Sequence, residues 1–283
     1  MPWTWEDTSP YVVGAVALSG TVPHALFAYT LRGVMQSINN CTKFLFCLAV
    51  AYLSIVHASL TFQSAVGALK LTGDWEAAKE HAQAVARGAI AGYGTVLDFM
   101  VVERFAVLYN FFGIGARGRN IANGLSLLAS LAMAVSVGMM PESHARIGME
   151  CGPFAVAIIS SLAITYRYHG ATTPSHLTTF QFAWVGLTTH SVSIAALVSS
   201  VLLLASIFTR YVVHVSGIEH LLLVFASSSF SLLMIFKHKT LRRKLRQKKN
   251  TVNPVKNVST AGSNEEHALA VINARYGTNF TAR

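Results

Sequence analysis

Charge is what this chain has least of. Only 12% of its 283 residues are Asp, Glu, Lys or Arg, against roughly 25% in soluble domains, which excludes an ordinary soluble enzyme. Cysteine is scarce as well. Cys41, Cys47 and Cys151 stand apart with no C-x-x-C spacing, so the pattern gives neither a disulfide framework nor a zinc site and argues against redox chemistry. No Gly-rich phosphate loop, HExxH, other metal-ligand cluster or nucleophile–base pair occurs, so no metal, no cofactor and no enzymatic activity are expected. The first ten residues hold Glu6 and Asp7 but no Lys or Arg. A cleavable signal needs a basic n-region, so the first apolar segment is expected to be retained.

What the chain has in quantity is hydrocarbon: 53% of residues are hydrophobic and the mean hydropathy is +0.47. A spanning helix takes about 20 apolar residues. Seven such runs are bounded by charge, Pro or Gly: Tyr11–Leu31, Phe44–Leu69, Ala89–Phe112, Ile121–Met140, Ile147–Tyr166, Phe182–Phe208 and Gly217–Phe236. The fifth is the weakest, since its strongly apolar part, Phe154–Tyr166, needs Ile147–Pro153 to complete a span. A six-span reading would remove it. The expected fold is an all-α membrane protein, a seven-transmembrane helix bundle over residues 1–249, with a mostly disordered polar tail over 250–283.

Lys and Arg set its direction, because cations of short loops stay on the cytoplasmic side. With the N-terminus outside, the inner segments hold Arg32, Lys43, Arg104, Arg117, Arg119, Arg167 and a run of eight from Lys237 to Lys249, while the outer loops hold Lys70, Lys79, Arg87, Arg146 and Arg210. The acids Glu6, Asp7, Asp74, Glu76, Glu80, Glu142 and Glu150 all fall outside. N-terminus outside and C-terminus inside is therefore expected, and it requires an odd number of spans. The net charge of +10 then reads as a match for anionic inner-leaflet lipids and not for nucleic acid. Leu241 and Leu245, four apart among these cations, predict a short amphipathic helix on the inner leaflet. Upstream, Thr72 to Glu80 reads as a helix start with Asp74 as the cap and acids in the first turn, so the third helix should project beyond the bilayer. The sequons at Asn40, Asn257 and Asn279 lie on the inner side, out of reach of glycosylation.

Ionisable groups within a bilayer cost several kcal/mol unless paired or hydrated, so each is a candidate for function. Asp98 in the third span and His190 in the sixth fall at similar depth and are expected to face each other in the bundle interior. The alternative is separate hydration or a backbone bond for each. His57, Glu219 and His220 occupy the outer half, where a polar ligand would be met; Glu219 also suits the point at which the last helix leaves the interface. Pro23 with His24 reads as a kink whose freed carbonyl finds a neighbouring donor. Most informative is Glu103-Arg104 at the cytoplasmic end of an apolar helix. Such a pair either marks the membrane boundary or forms a bistable electrostatic element, paired at rest and released on outward helix movement.

Three motifs carry a resemblance. Glu103-Arg104 with Ala106 is similar to a Glu-Arg-x-x-Ala at the end of the third helix, one residue shorter here; Phe180-Gln181 is similar to an aromatic-Gln entering the sixth; Glu265-Glu266-His267-Ala268 with Tyr276 is similar to a terminal Glu-Glu-His-Phe and later Trp. With the seven spans, the chain resembles the nematode serpentine chemoreceptors of the superfamily containing the Sra, Srab, Srb and Sre classes. It departs from them at the third helix, where no cysteine near Lys79–Gly88 is present to meet Cys151 in the second outer loop. The seventh span has Ser227-Ser-Ser-Phe230 where wider receptors carry Asn-Pro-x-x-Tyr, and it has no Lys for a retinal Schiff base, which excludes an opsin.

The resemblance implies a plasma-membrane chemosensory receptor, in sensory-neuron cilia by analogy. It would bind a small external chemical and signal through a heterotrimeric G protein, with Glu103 and Arg104 as the coupling switch. A small channel or secondary transporter is a different expectation, though no repeat relates the two halves as transporters usually require. A non-signalling membrane scaffold is a third.

Overall fold

The computed structural model describes residues 5–34, 40–109, 116–141, 143–169, 179–210 and 216–251. Among them the regular structure is entirely helical: α1 (Trp5–Val34), α2 (Asn40–Ala68), α3 (Asp74–Tyr109), α4 (Ala116–Met139), α5 (His144–His169), α6 (Thr179–Phe208) and α7 (Ser216–Thr251). All seven are long and apolar enough to cross a membrane. Even α4, the shortest with 24 residues, reaches about 36 Å at 1.5 Å per residue, beyond the ~30 Å hydrocarbon core. The fifth expected span, the doubtful one, is a complete helix, and the chain is a multi-pass membrane protein. The motif residues Glu265–Ala268 and Tyr276, the sequons at Asn257 and Asn279, and nearly all of the tail expected over 250–283 lie outside the described residues.

Helix ends follow local chemistry. Gly73, at φ 70°, turns the chain immediately before α3. The first helical residue is Asp74, with the Glu76 amide donating to the Gly73 carbonyl at 3.0 Å. Asp74 is thus one position inside the helix and not its cap, although its charge and that of Glu76 still suit the positive end of the helix dipole. As expected, α3 begins well before its apolar stretch. At the other terminus, the basic run does not form a separate surface helix. It continues α7 without a break to Thr251, because Lys237–Thr251 contains no Gly or Pro and is rich in the helix formers Lys, Arg, Leu and Gln. Pro10 and Pro23 are both accommodated inside α1, as membrane helices permit when neighbours satisfy the freed backbone.

The bundle is organised around α3, which packs against α2, α4, α5 and α6, while α1 and α7 close on each other and on α2. Two devices hold it. One is a chain of edge-on aromatic rings: Phe27 meets Phe46 and Phe230 at 5.8 and 5.6 Å, and Tyr93 meets Phe154 and Phe230 at 5.9 and 6.0 Å, tying α1, α2, α3, α5 and α7 through one buried core. The other is a seam of small residues between α3 and α4. A side chain on Gly88 would run into the Ala134 carbonyl, and a Cβ on Gly92 or Gly138 would stand 3.1 Å from the Ser130 carbonyl or 3.3 Å from the Ala84 carbonyl. Small residues four apart let the two backbones touch, the usual means of helix association in lipid. Tyr52 adds a bond from α2 to the Ser130 hydroxyl at 3.1 Å. The far side of α4 shows Ile121, Leu125, Leu128, Val135 and Met139, an apolar stripe that suits hydrocarbon.

Candidate functional site

Polar side chains gather at three levels of the bundle. At the end where α3 finishes, Glu103 and Arg104 form the ion pair their sequence suggests, with Arg104 Nε 3.0 Å from Glu103 Oε2 and both side chains buried. Neither of those two atoms has a directed hydrogen bond, so charge alone holds that contact. The remaining valences go to Thr42 on α2. Its hydroxyl donates to Glu103 Oε1 at 2.8 Å and accepts from Arg104 Nη2 at 3.0 Å. Thr42 is 1% exposed and Arg104 3%. The result is a three-membered latch between α2 and α3. Sequence reasoning missed Thr42, whose one visible signal was a lone hydroxyl beside the basic start of α2.

Mid-bundle, α1, α2 and α7 share a network of histidine and serine. His57 Nδ1 lies 2.9 Å from the Ala17 carbonyl and must donate to it, which leaves Nε2 as an acceptor between Ser227 Oγ at 2.8 Å and Ser228 Oγ at 3.3 Å. His24 bonds Ser231 through Nδ1 at 2.7 Å and sets its ring edge-on to His57, with centroids 4.8 Å apart. Gly20 makes the room, because any side chain there would strike the His57 ring. His57, expected among ligand-facing residues, is instead fully enclosed by α1 and α7. Both of its ring nitrogens meet neighbouring helices.

The opposite end, where α1 and α7 begin, carries a second charged cluster. Glu219 on α7 accepts from Arg210 at the end of α6, through Nε at 2.8 Å and through Nη2 to the same oxygen. Arg146 on α5 donates from Nε to Glu150 at 3.1 Å and from Nη1 to the Met140 carbonyl at 2.9 Å. The charges of Arg146, Arg87 and Arg210 all act on Glu150, and those of Glu219, Arg210, Lys79 and Arg87 act on His220. Of the three residues expected in the outer half, the neighbours Glu219 and His220 lie in this cluster and His57 does not; sequence reasoning did not assign Arg87, Arg146, Glu150 or Arg210 to it. Arg146 and Glu150, four apart on one helix, were the available signal.

Asp98 lies on α3 and His190 on α6; the two helices pack against each other, and Asp98 Oδ1 has no hydrogen-bond partner. The described residues include no group of three or more His, Cys, Asp or Glu able to hold a metal ion, and among them Cys41, Cys47 and Cys151 form no disulfide. Phe180 and Gln181 fall in α6, but their side chains lie outside the described residues. No protein-family model and no curated protein matches this chain.

Proposed function

We propose that this protein is a seven-helix chemosensory receptor of the plasma membrane, with its N-terminus outside and its C-terminus inside, coupled to a heterotrimeric G protein. The observation that carries the reading is the Glu103–Arg104–Thr42 latch. A guanidinium buried at the inner end of the central helix, neutralised by its own neighbour and bridged to α2 by one hydroxyl, is a group with two stable situations. It is sealed while α2 and α3 stay together, and it is available to a cytoplasmic partner when they part. An external chemical acts by binding more tightly to the parted state, and its effect is limited by that difference in affinity.

The Lys and Arg distribution that puts the Arg104 end inside also puts the Lys237–Lys249 stretch of α7 beside anionic lipid. The resemblance of Glu103-Arg104 to the third-helix motif of nematode serpentine receptors points the same way. Replacing Arg104 with Gln is expected to abolish nucleotide exchange on a co-reconstituted G protein while surface expression persists. Exchange that continues unchanged in a correctly trafficked Arg104→Gln protein refutes the role.

A further inference from the structure

The charged cluster at the α7 start asks for a different account from the latch. Glu150 and Glu219 are each 4% exposed, and Arg87 and Arg146 each 6%, so four ionisable side chains are withdrawn from water at this one end of the bundle. Removing ions from water is costly even when they are paired, and a purely structural seam would be served as well by apolar residues. The ions do not staple one helix to itself alone, either. Arg210, just past the end of α6, and Glu219 tie that end to α7, and Arg87 of α3, Arg146 of α5 and Arg210 all act on Glu150.

We propose that this cluster recognises a small organic carboxylate, which takes the place of Glu219 on Arg210 and thereby unties α6 from α7. The inference rests on the receptor reading above in taking this end as the external one. The chemistry follows from what already occupies the guanidinium. Arg210 presents Nε and Nη2 together to a carboxylate oxygen, the side of the guanidinium fork that recognises carboxylates. An incoming carboxylate is the same chemical group without the tether to α7. It therefore competes with Glu219 directly, and winning the competition is what separates the helices. Beside Glu219, the buried Nε2 of His220 has no hydrogen-bond partner and offers a further polar contact to the newcomer's second oxygen.

The competition gives a test in which two substitutions in one ion pair act in opposite directions. The full chain is reconstituted in lipid nanodiscs without G protein and titrated with hexanoate and with hexanamide, its neutral counterpart, binding being read from the ligand-dependent rise in unfolding temperature. Hexanoate is expected to stabilise the wild-type protein and hexanamide is not. Glu219→Gln, which removes the internal competitor, should tighten hexanoate by about tenfold; Arg210→Gln should abolish its advantage over hexanamide. Hexanoate and hexanamide acting alike on the wild type overturns the proposal whatever the variants do, so a variant that fails to fold does not protect it. Weaker hexanoate binding by a folded Glu219→Gln protein, or selectivity retained by a folded Arg210→Gln protein, overturns it too. Exchange on an added G protein is measured separately. Selective binding with no effect on exchange upholds the carboxylate site and fails the receptor reading, while exchange activity without carboxylate selectivity does the reverse.

Discussion

Thr42→Val isolates the bridge of the latch. Valine keeps the β-branched shape and removes one oxygen, which at once deprives Glu103 Oε1 of its donor at 2.8 Å and Arg104 Nη2 of its acceptor at 3.0 Å. Both bonds involve a charged partner in a buried site, where such a bond contributes about 1.5–3 kcal/mol. The parted state has no Thr42 bridge to lose. The change therefore falls on the latched state alone, and the two bonds, being coupled through one oxygen, are expected to cost it about 3 kcal/mol together. At 1.4 kcal/mol per decade that raises the parted-to-latched ratio about 10²-fold.

The assay is basal nucleotide exchange on a co-reconstituted heterotrimeric G protein, in the absence of any ligand, for wild type, Thr42→Val and Thr42→Ser. The serine variant retains the oxygen and should stay near wild type; the valine variant should show greatly raised basal exchange. Basal exchange unchanged in Thr42→Val, or raised equally in Thr42→Ser, would refute the bridging role and leave Thr42 as a packing residue.

Two further substitutions probe the frame that holds these sites. Gly20→Val drives a side chain into the His57 ring and should disrupt the α1–α2–α7 network, lowering stability by about 1–3 kcal/mol as overpacking does; an unfolding temperature equal to wild type would show that the network is not tightly packed. Gly88→Leu at the α3–α4 seam meets the Ala134 carbonyl, a backbone atom that cannot rotate away. It should lower the unfolding temperature more than Gly124→Leu, where the added side chain meets nothing within 4 Å. Equal effects of the two leucines would contradict the close approach of α3 and α4.

The seven helices were legible because a bilayer imposes one simple demand, a long apolar run for each crossing, and the runs were bounded by visible charge. Even the weak fifth span obeyed it, Ile147–Pro153 completing α5 around an internal Pro153. The Glu103–Arg104 pair was legible because its members are adjacent. Thr42 was not, since nothing in the spacing says which face of α2 meets the end of α3. The same ignorance of helix rotation hid the enclosure of His57 by Gly20 and the serines of α7. Conversely, the cluster around Glu219 draws on Arg87, Arg146, Glu150 and Arg210, residues that a count of loop charges registers only for their sign. Continuation of α7 through the basic run was written in its composition, because nothing between Lys237 and Thr251 interrupts a helix.

Direction across the membrane underlies both proposals, the coupling of the latch to a G protein and the external carboxylate site. Epitope tags at the two termini and in the 71–83 segment, probed on intact and then on permeabilised cells, read it directly. The account predicts that the N-terminal and 71–83 tags are stained on intact cells and the C-terminal tag only after permeabilisation. A C-terminal tag stained on intact cells, or both termini on one side, contradicts it.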